Sequence, residues 1–450
     1  MEKQLAIISP NAIAQVLKKS ENRTAIELNE PTRRGGLVLP RESSLILPER
    51  NIDLQIQFKV ELNKATNILG KTETLPGVLS SIDHRMASLL QTYIVQQGIE
   101  EEKIIDEESS FRKAREVQFD EKDWAGWAKS FFSWWKKISP HPWLDTPSNK
   151  KIKNIARIGI LGDWGTGLYG APVCARNIEK SKDGYDVLVH LGDVYYSGDT
   201  KETKERFLDL WIDPAKTSWE NKDSVIHRAC NSNHEMYTGG HAYFDYTLSK
   251  FEQSASYFAL HNDHWVLAGL DTGYKEGDLM DGQVEWLTKL ISEADGRRII
   301  LFSHHQPFSW FDKGYKKITD KLDTLLKGKK IFAWYWGHEH RCVLYDKHPI
   351  YGLYGRCVGH SGYPYFRDNF IGVKSELAEN AAEEDFVWKL MSTKDTSPSA
   401  RILDGPNPYV EGYADNYGCN GYMTLDFNDS NLIETVNAAD GTALYSRQID

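Results

Sequence analysis

Asp, Asn and His side chains recur in five short clusters between residues 155 and 345 of this 450-residue chain. Each cluster follows a short apolar run, of which residues 157–161 before Asp163 are the first. The members that can bind a metal ion are Asp163, Asp193, Asn233, His304, His338 and His340. Carboxylate, amide oxygen and imidazole form a ligand set that suits borderline or hard divalent cations. The residue types therefore predict a metal site.

A carboxylate can bridge two cations, so these ligands can build a two-metal site. Two cations roughly 3.5–4 Å apart can hold the attacking and leaving oxygens of a phosphoryl group. They also lower the pKa of a bound water so that it ionises near neutral pH. The ligand set therefore predicts hydrolysis of a phosphoric ester, with a metal-bound hydroxide as the nucleophile.

The apolar runs before the clusters have the continuous hydrophobic character of strands buried on both faces of a sheet. The long connections between them leave room for crossover helices. Ligand sites of α/β sheets gather beyond the carboxyl ends of such strands, so five loops distant in sequence can meet there. Glycines beside Asp163, Asp193 and His338 suit turns in which the backbone passes close to a ligand. We expect an α/β fold that gathers the clusters at one edge of its sheets.

The motif series is similar to that of the calcineurin-like metallophosphoesterase superfamily, whose motifs run GD, GDxx, GN(H/D), a His motif and GHxH. In this chain the series consists of Gly162-Asp163, Gly192-Asp193, Asn233-His234, His304-His305 and Gly337-His338-Glu339-His340. Two smaller similarities are Leu270-Asp271-Thr272 and Gln283-x-x-Trp286-Leu287. The resemblance covers about 155–345, with some support from 421–445, and leaves out the first 150 residues. It implies an α/β fold with a metallophosphoesterase-type β-sandwich flanked by helices in βαβ units.

Within the superfamily the chain most resembles the purple acid phosphatases. Most members of the superfamily have Asp-x-His in the first motif, whereas Asp163-Trp164-Gly165 lacks this His, as the GDxG of the purple acid phosphatases does. That branch replaces the missing ligand with the Tyr of GDxxY, which corresponds here to Tyr196. Purple acid phosphatases are mostly secreted, whereas this chain shows no export signal. The resemblance implies two metal ions and leaves iron, manganese and zinc open.

The resemblance also implies a ligand set for each metal ion. One ion would be held by Asp163, Asp193, Tyr196 and His340. The second would be held by Asp193, Asn233, His304 and His338. Asp193 would be the bridge and thus a catalytic residue. His234 would face the substrate phosphate and protonate the leaving oxygen or stabilise the transition state.

Two motifs depart from the family pattern. The third motif has Ser232 where the family usually has Gly. The fourth contains two adjacent histidines, so either could be the ligand. Alignment on the family's His-x-Pro-x-aromatic pattern favours His304 as the ligand and leaves His305 to contact the substrate.

The sequence divides into three predicted regions. Residues 1–70 form a small β-rich region, since apolar and polar residues alternate over 52–62. Residues 71–150 form a helical region that ends in a Pro-rich linker at 139–150, and Leu79, Ile82, Met86, Leu89 and Tyr93 share one helix face there. Residues 151–450 form the metallophosphoesterase domain. Its final residues read as hairpins, and an insertion at about 366–408 is predicted to be helical over 376–390.

Composition separates the alternative functions. The formal net charge of −10 argues against nucleic acid as a partner and makes a nuclease second choice, because a nuclease needs a groove lined with Lys and Arg. A cyclic-nucleotide phosphodiesterase remains open as an alternative. A non-catalytic phosphatase-like scaffold would have lost ligands, yet every ligand position is filled. The expected partner is a phosphate-ester substrate, and the N-terminal region is a candidate for contacts with a partner protein.

Cysteine usage and hydropathy bear on the compartment. The five cysteines are odd in number and widely spaced, which fits free thiols in a reducing compartment. No apolar run approaches the roughly 20 residues of a membrane-spanning helix, and no signal peptide is evident. We therefore expect a cytoplasmic protein.

Overall fold

The computed structural model describes Lys64, residues 84–100, Trp135 and residues 137–368, 370–381, 386–394, 397–410 and 414–450. The chain divides into two units, Met1–Ser139 and Pro140–Asp450. The alternating segment at 52–62, on which the prediction of a β-rich region rests, lies outside the described residues. In the first unit, helix α1 spans Arg85–Glu100 and confirms the predicted helix over that range. Its residues Met86, Leu89 and Tyr93 are buried.

The second unit contains both helices and strands. The described α-helices are α2 Gly170–Glu179, α3 Asn233–Tyr237, α4 Leu248–Lys250, α5 Asp281–Ser292, α6 Lys316–Lys321 and α7 Asp323–Lys327. Shorter turns are the π-helices Glu202–Leu208 and Tyr243–Thr247 and the 3-10 helices Pro214–Lys216, Lys222–Ser224 and Ala414–Asn416. The strands are β1 Ser148–Lys151, β2 Ile155–Leu161, β3 Val187–His190, β4 Ile226–Ala229, β5 Phe258–His261, β6 Trp265–Gly269, β7 Arg298–Ser303, β8 Ala333–Trp336, β9 Cys342–Tyr345, β10 Tyr354–Val358, β11 Ser375–Leu377, β12 Val387–Met391, β13 Ala400–Asp404, β14 Gly421–Asn428, β15 Asn431–Ala438 and β16 Ala443–Ile449.

The strands form two sheets. The larger has the order β1-β5-β6-β7-β8-β10-β9-β13-β12-β11, and the smaller has the order β16-β15-β14-β2-β3-β4. Strands β2, β3 and β4 are parallel to one another, as are β6, β7, β8 and β10. One apolar cluster takes side chains from both sheets, including Ile158 and Val189 of the smaller sheet and Phe302 and Tyr335 of the larger. This mixed α/β sandwich confirms the predicted fold class, and β14–β16 confirm the predicted hairpins.

The predicted helix at 376–390 is wrong over the described part of that range, which contains strand and no helix. Strands β11 and β12 lie at the two ends of that range and pair in antiparallel order, and β12 also pairs in antiparallel order with β13. Strand β13 in turn pairs with β9 of the larger sheet. Val387 and Trp388 favour extended structure, and Trp388 is buried. Pairing with an existing sheet edge therefore outweighs the helical preference of the charged residues, and the segment widens the sheet.

The predicted linker at 139–150 is in part a structural element. Its end lies in β1, which pairs in parallel with β5 at one edge of the larger sheet. The hydroxyl of Tyr257 donates to the backbone carbonyl of Asp145 (3.0 Å). The hydroxyl of Tyr274 donates to the backbone carbonyl of His141 (2.8 Å). Residues from 140 onward thus pack as part of the second unit. Among the described residues, no helix combines the length and apolar character needed to cross a membrane.

Candidate metal centre

Adjacent parallel strands bring the two aspartates together. Strand β2 ends at Leu161, shortly before Asp163, and β3 ends at His190, shortly before Asp193. Leu161 and His190 are direct partners in the parallel pairing. The backbone N–H of Asp163 donates to the carbonyl of Gly192 (3.0 Å). The two loops therefore leave the sheet side by side, as predicted for the carboxyl ends of parallel strands.

The histidines come from the other sheet in the same way. Ser303 at the end of β7 pairs with Trp336 at the end of β8, which places His304 and His338 beside each other. Nε2 of His304 lies 3.2 Å from Nδ1 of His338. The same Nε2 lies 3.2 Å from Oδ1 of Asp193. His304 therefore joins the ligand residues of the two sheets.

The ligand atoms form two groups. One consists of Asp163, Asp193 and His340, and the other of His304, His305 and His338, with the ligand atoms of each group within 4.8 Å of one another. Nε2 of His340 lies 3.5 Å from Oδ1 of Asp163 and 3.6 Å from Oδ2 of Asp193. Since Oδ1 of Asp193 faces His304, the two oxygens of this carboxylate face different groups. Asp193 is thus placed where a bridging ligand would be.

Four of these residues have a left-handed backbone. The φ angles are 55° at Asp163, 73° at Asp193, 69° at His338 and 51° at His340. Such conformations cost about 1–3 kcal/mol each in non-glycine residues and concentrate at functional sites. The strained backbone directs these side chains toward one another.

The two carboxylates are buried, and their pKa values shift in opposite directions. Burial raises the pKa of Asp163, and the charge of Asp193 raises it further. Burial also acts to raise the pKa of Asp193, but the nearby His304, His234 and His340 lower it overall. Oδ2 of Asp163 is buried and has no hydrogen-bond partner among the described residues. A divalent cation would supply the missing partner and charge.

In two of the predicted ligands, one side-chain atom is held by a hydrogen bond and the other is the atom that can bind a cation. Nδ1 of His304 donates to the carbonyl of Leu191 (2.9 Å), and such a bond fixes Nε2 as the ligand atom. The amide nitrogen of Asn233 donates to the hydroxyl of Tyr237 (2.9 Å). In the side chain of Asn233 the oxygen is therefore the atom suited to a cation. The residues present fit divalent metal ions.

The structure places Tyr195, and not the predicted Tyr196, at the ligand groups. The hydroxyl of Tyr195 lies 3.1 Å from Oδ2 of Asp193 and 2.8 Å from Nε2 of His340. The phenol of Tyr196 instead lies near the charges of Arg206 and Glu202, and burial raises its pKa to about 12. The structure therefore does not bring the phenol of Tyr196, the predicted ligand, to the ligand groups. Adjacent side chains point in different directions, so the phenol at the site is one position earlier.

The two adjacent histidines have different surroundings. His304 contacts Asp193, as described above. Nδ1 of His305 lies 2.9 Å from the hydroxyl oxygen of Thr272, and its Nε2 is buried with no hydrogen-bond partner in the described part of the chain. Its ring lies 4.7 Å from that of His338. His305 is thus a member of the second group, and it is His304 that contacts Asp193 of the first.

His234 lies on α3, directly after Asn233. Its Nδ1 donates to the carbonyl of Tyr196 (2.6 Å), and its ring centroid is 3.9 Å from that of Tyr195. These contacts fix the ring with Nε2 as its remaining polar atom. The predicted residues Asp163, Asp193, His304, His305, His338 and His340 are therefore brought together. His234 lies close enough to Asp193 to lower its pKa, and Asn233 directly precedes His234 in the chain.

Ser232 is a site residue that the motif comparison treated only as a departure. Its hydroxyl donates to Oδ1 of Asp193 (2.6 Å) and accepts from the backbone N–H of His234 (3.1 Å), which caps α3. The carboxylate of Glu235 contacts the same hydroxyl and accepts from the N–H of Asp193 (3.2 Å). The sequence contains the signal for this arrangement, since Ser-x-x-Glu is a helix-capping pattern.

The two smaller sequence similarities also meet near the site. The N–H of Asp271 donates to the side-chain oxygen of Gln283 (2.7 Å), whose side-chain nitrogen donates back to the carbonyl of Asp271 (2.9 Å). The Asp271 carboxylate accepts from the side chain of Asn231 at 3.1 and 3.2 Å. Asp271 therefore orients the start of the loop that carries Asn233.

Comparison with known proteins agrees with this geometry. Residues 156–342 match the calcineurin-like phosphoesterase family. The chain is 31% identical over 87 residues to the 3',5'-cyclic adenosine monophosphate phosphodiesterase CpdA of Escherichia coli (strain K12), which covers 18% of this chain and 32% of that protein. The chain thus spans about a third of the length of the curated relatives it matches.

Two solved structures show distant similarity. The purple acid phosphatase PPD1 from yellow lupin (Lupinus luteus) seeds is 14% identical, with a TM-score of 0.47, over 69% of this chain and 55% of that one. A dimetal phosphatase from Danio rerio is 11% identical, with a TM-score of 0.38, over 65% of this chain and 98% of that one. The family match spans all the strands that carry the ligand residues. Residues 156–342, which carry these strands, are therefore similar to the calcineurin-like phosphoesterase family.

Proposed function

We propose that the protein is a metal-dependent phosphoric ester hydrolase with a two-metal site. The observation that carries the proposal is the position of Asp193, whose two carboxylate oxygens face different ligand groups. One ion would be held by Asp163, Asp193, Tyr195 and His340, and the other by Asp193, Asn233, His304 and His338. The reaction is assigned to residues 151–450, which include every proposed ligand.

Held by these residues, a pair of divalent cations would neutralise charge on the phosphoryl oxygens and would lower the pKa of a coordinated water. Asp193 fixes the spacing of the two ligand groups through its two oxygens. Ser232 holds that carboxylate through its hydroxyl. Burial of the ligand residues excludes bulk water, which strengthens the electrostatic interactions in the site.

His234 is the proposed acid or charge-stabilising group. Its Nδ1 is bound to the carbonyl of Tyr196, so only Nε2 can face the substrate. A protonated Nε2 would donate to the phosphoryl group or to the leaving oxygen. His305, with a buried Nε2 beside His338, is the proposed second contact to substrate.

A phosphodiester substrate is the second candidate. The observation that favours it is the match to the cyclic adenosine monophosphate phosphodiesterase of Escherichia coli described above. The match covers 18% of this chain. It is therefore used only to choose a phosphodiester as one of the substrates to test. Two features still support the resemblance to the purple acid phosphatase branch. They are the GDxG motif and a phenol at the ligand groups, which Tyr195 supplies.

Metal analysis and two model substrates test the proposal. We expect about two equivalents of Fe, Mn or Zn in the purified protein, and hydrolysis of p-nitrophenyl phosphate or bis-p-nitrophenyl phosphate. The favoured ester separates a monoesterase from a diesterase. Asp193→Ala should abolish both metal pairing and hydrolysis, whereas Asp183→Ala, at a carboxylate that is 83% exposed, should change neither. Full activity in Asp193→Ala would overturn the proposal.

A further inference from the structure

The loop after the two adjacent histidines folds back onto them. The backbone N–H of Tyr315 donates to the carbonyl of Gln306 (3.1 Å). This hydrogen bond joins the two ends of the loop that runs from Gln306 to Tyr315. Gly314 passes so close to Pro307 that a Cβ at residue 314 would lie 2.1 Å from the Pro307 carbonyl oxygen. This close approach requires glycine, and it returns Tyr315 to the ligand groups.

Tyr315 contacts two of the histidines. Its phenol oxygen lies 2.9 Å from Nε2 of His338, and its ring meets the ring of His305 edge-on at a centroid distance of 4.5 Å. The other nitrogen of His338, Nδ1, lies 3.2 Å from Nε2 of His304. The phenol is therefore on the side of the imidazole that faces away from His304.

The loop has a second attachment that does not use the phenol. The hydroxyl of Ser309 contacts Oε1 of Glu339, the residue between His338 and His340. Oε2 of Glu339 accepts from the indole N–H of Trp336 (2.9 Å). The hydroxyl oxygen of Ser309 also accepts from the backbone N–H of Phe311 (2.9 Å). The loop and the turn after β8 thus stay together without the hydroxyl of Tyr315.

From these contacts we propose that Tyr315 is a positioning residue that selects Nδ1 of His338 as the metal-binding atom. A histidine that binds a metal through one nitrogen usually donates its other N–H to an acceptor, which fixes the tautomer and the ring orientation. Here Nε2–H of His338 donates to the phenol oxygen, and Nδ1 carries no proton. The inference rests on the proposed metal site and adds a residue that lies outside every sequence motif.

Tyr315→Phe tests the role because it removes only the hydroxyl and keeps the ring against His305. Metal-free protein is titrated with Zn²⁺ in competition with a chromophoric chelator. We expect one of the two equivalents to bind roughly 10–100-fold more weakly, the range typical of losing an outer partner of a metal-binding histidine. The other equivalent should keep its affinity. With saturating Zn²⁺, kcat should recover toward that of the unaltered protein.

Tyr257→Phe is the matched control, since it also removes a tyrosine hydroxyl bonded at 3.0 Å, in that case to the carbonyl of Asp145. It should leave both Zn²⁺ affinities unchanged. Unchanged affinities in Tyr315→Phe would overturn the inference, and so would equal weakening of both equivalents, which indicates a general loss of structure. If the unaltered protein binds no Zn²⁺, Mn²⁺ or Fe, it is the proposed function that fails, and the two failures are thereby distinguished.

Discussion

The hydroxyl oxygen of Tyr195 lies 2.8 Å from Nε2 of His340. The same hydroxyl donates to Oδ2 of Asp193, so the phenol occupies the side of the first ligand group that faces away from His304. Tyr196 is equally buried, but its phenol lies near Arg206 and Glu202 instead. Two neighbouring tyrosines of the same motif therefore have separate roles.

Tyr195→Phe should weaken metal binding, and Tyr196→Phe should not. Tyr195 contacts two proposed ligands directly, so we expect its loss to cost at least the roughly 10–100-fold in affinity typical of an outer partner. If the first ion is ferric, a phenolate-to-iron absorption band should disappear in Tyr195→Phe and persist in Tyr196→Phe. Metal titration and visible absorption spectra of both variants make the comparison.

The prediction is contradicted if Tyr196→Phe weakens metal binding and Tyr195→Phe does not. Loss of metal in Tyr196→Phe alone would restore the assignment based on the GDxxY motif. Both variants remove one hydroxyl from a buried phenol, so each controls for the general effect of the substitution on folding. Their thermal unfolding midpoints, measured without metal, show whether that effect is small.

The sequence predicts the site residues well where a strand end fixes them. Asp163, Asp193, His304 and His338 each follow a buried strand, and strand pairing alone brings them to one edge. Tyr195 could not be distinguished from Tyr196 in this way. Tyr195 lies in a loop whose direction depends on the left-handed backbone at Asp193. The φ angle of Asp193 cannot be predicted from the residue pattern.

The same reasoning explains the misassigned insertion. Periodicity over 376–390 describes a segment in isolation, whereas β12 is stabilised by pairing with β13. That partner lies beyond the segment, so a local pattern cannot include it. Tyr315 escaped prediction for a related reason, since it reaches His338 only through the closure of its loop.

Gly359→Ala should damage the metal site by steric contact. A Cβ at residue 359 would lie 2.4 Å from Oδ2 of Asp163, the oxygen that has no hydrogen-bond partner in the described part of the chain. The carboxylate must move, so metal affinity and hydrolysis should both fall by at least an order of magnitude. Metal content and p-nitrophenyl phosphate turnover measure the effect.

Gly282→Ala is the control for this substitution. Gly282 lies in α5, and a Cβ there meets nothing within 4 Å. Alanine in a helix lowers the entropy of the unfolded chain, so the free energy of unfolding should rise by about 0.4–1 kcal/mol. Retention of full metal affinity in Gly359→Ala would show that Asp163 is not held at the observed position.

Removal of metal should destabilise the fold. Asp163 and Asp193 are fully buried carboxylates that repel each other when no cation is present. A ligand at 100 times its dissociation constant stabilises the native state by about 2.7 kcal/mol. We therefore expect a chelator to lower the thermal midpoint by several degrees and added Mn²⁺ or Zn²⁺ to restore it.

Asp193→Ala provides the comparison for metal removal. The variant lacks the carboxylate proposed to bridge the two ions, so the chelator should change its midpoint by much less than that of the unaltered protein. A chelator effect of equal size in both proteins would place the stabilising ion elsewhere. Differential scanning calorimetry measures the midpoints of the unaltered protein and of Asp193→Ala, each with and without the chelator.

Glu434→Gln should be strongly destabilising, although it lies far from any proposed ligand in the sequence. The Glu434 carboxylate accepts from the Arg356 guanidinium at 2.9 and 3.0 Å and from the hydroxyl of Tyr335 at 2.6 Å. The two charged side chains are 0% and 4% exposed. Removing one charge leaves the other buried without compensation, which costs about 3–5 kcal/mol in the free energy of unfolding.

Glu376→Gln is the matched change at an exposed ion pair. Glu376 pairs with Arg401, and their side chains are 45% and 41% exposed, so we expect a much smaller loss of stability than in Glu434→Gln, because water screens an exposed ion pair. Urea unfolding in the presence of a chelator compares the two variants without a contribution from bound metal. Equal midpoints would mean that water reaches Arg356 once the charge of Glu434 is gone. A midpoint lowered only in Glu434→Gln would show that the buried pair, which joins β10 of the larger sheet to β15 of the smaller, stabilises the fold more than the exposed pair does.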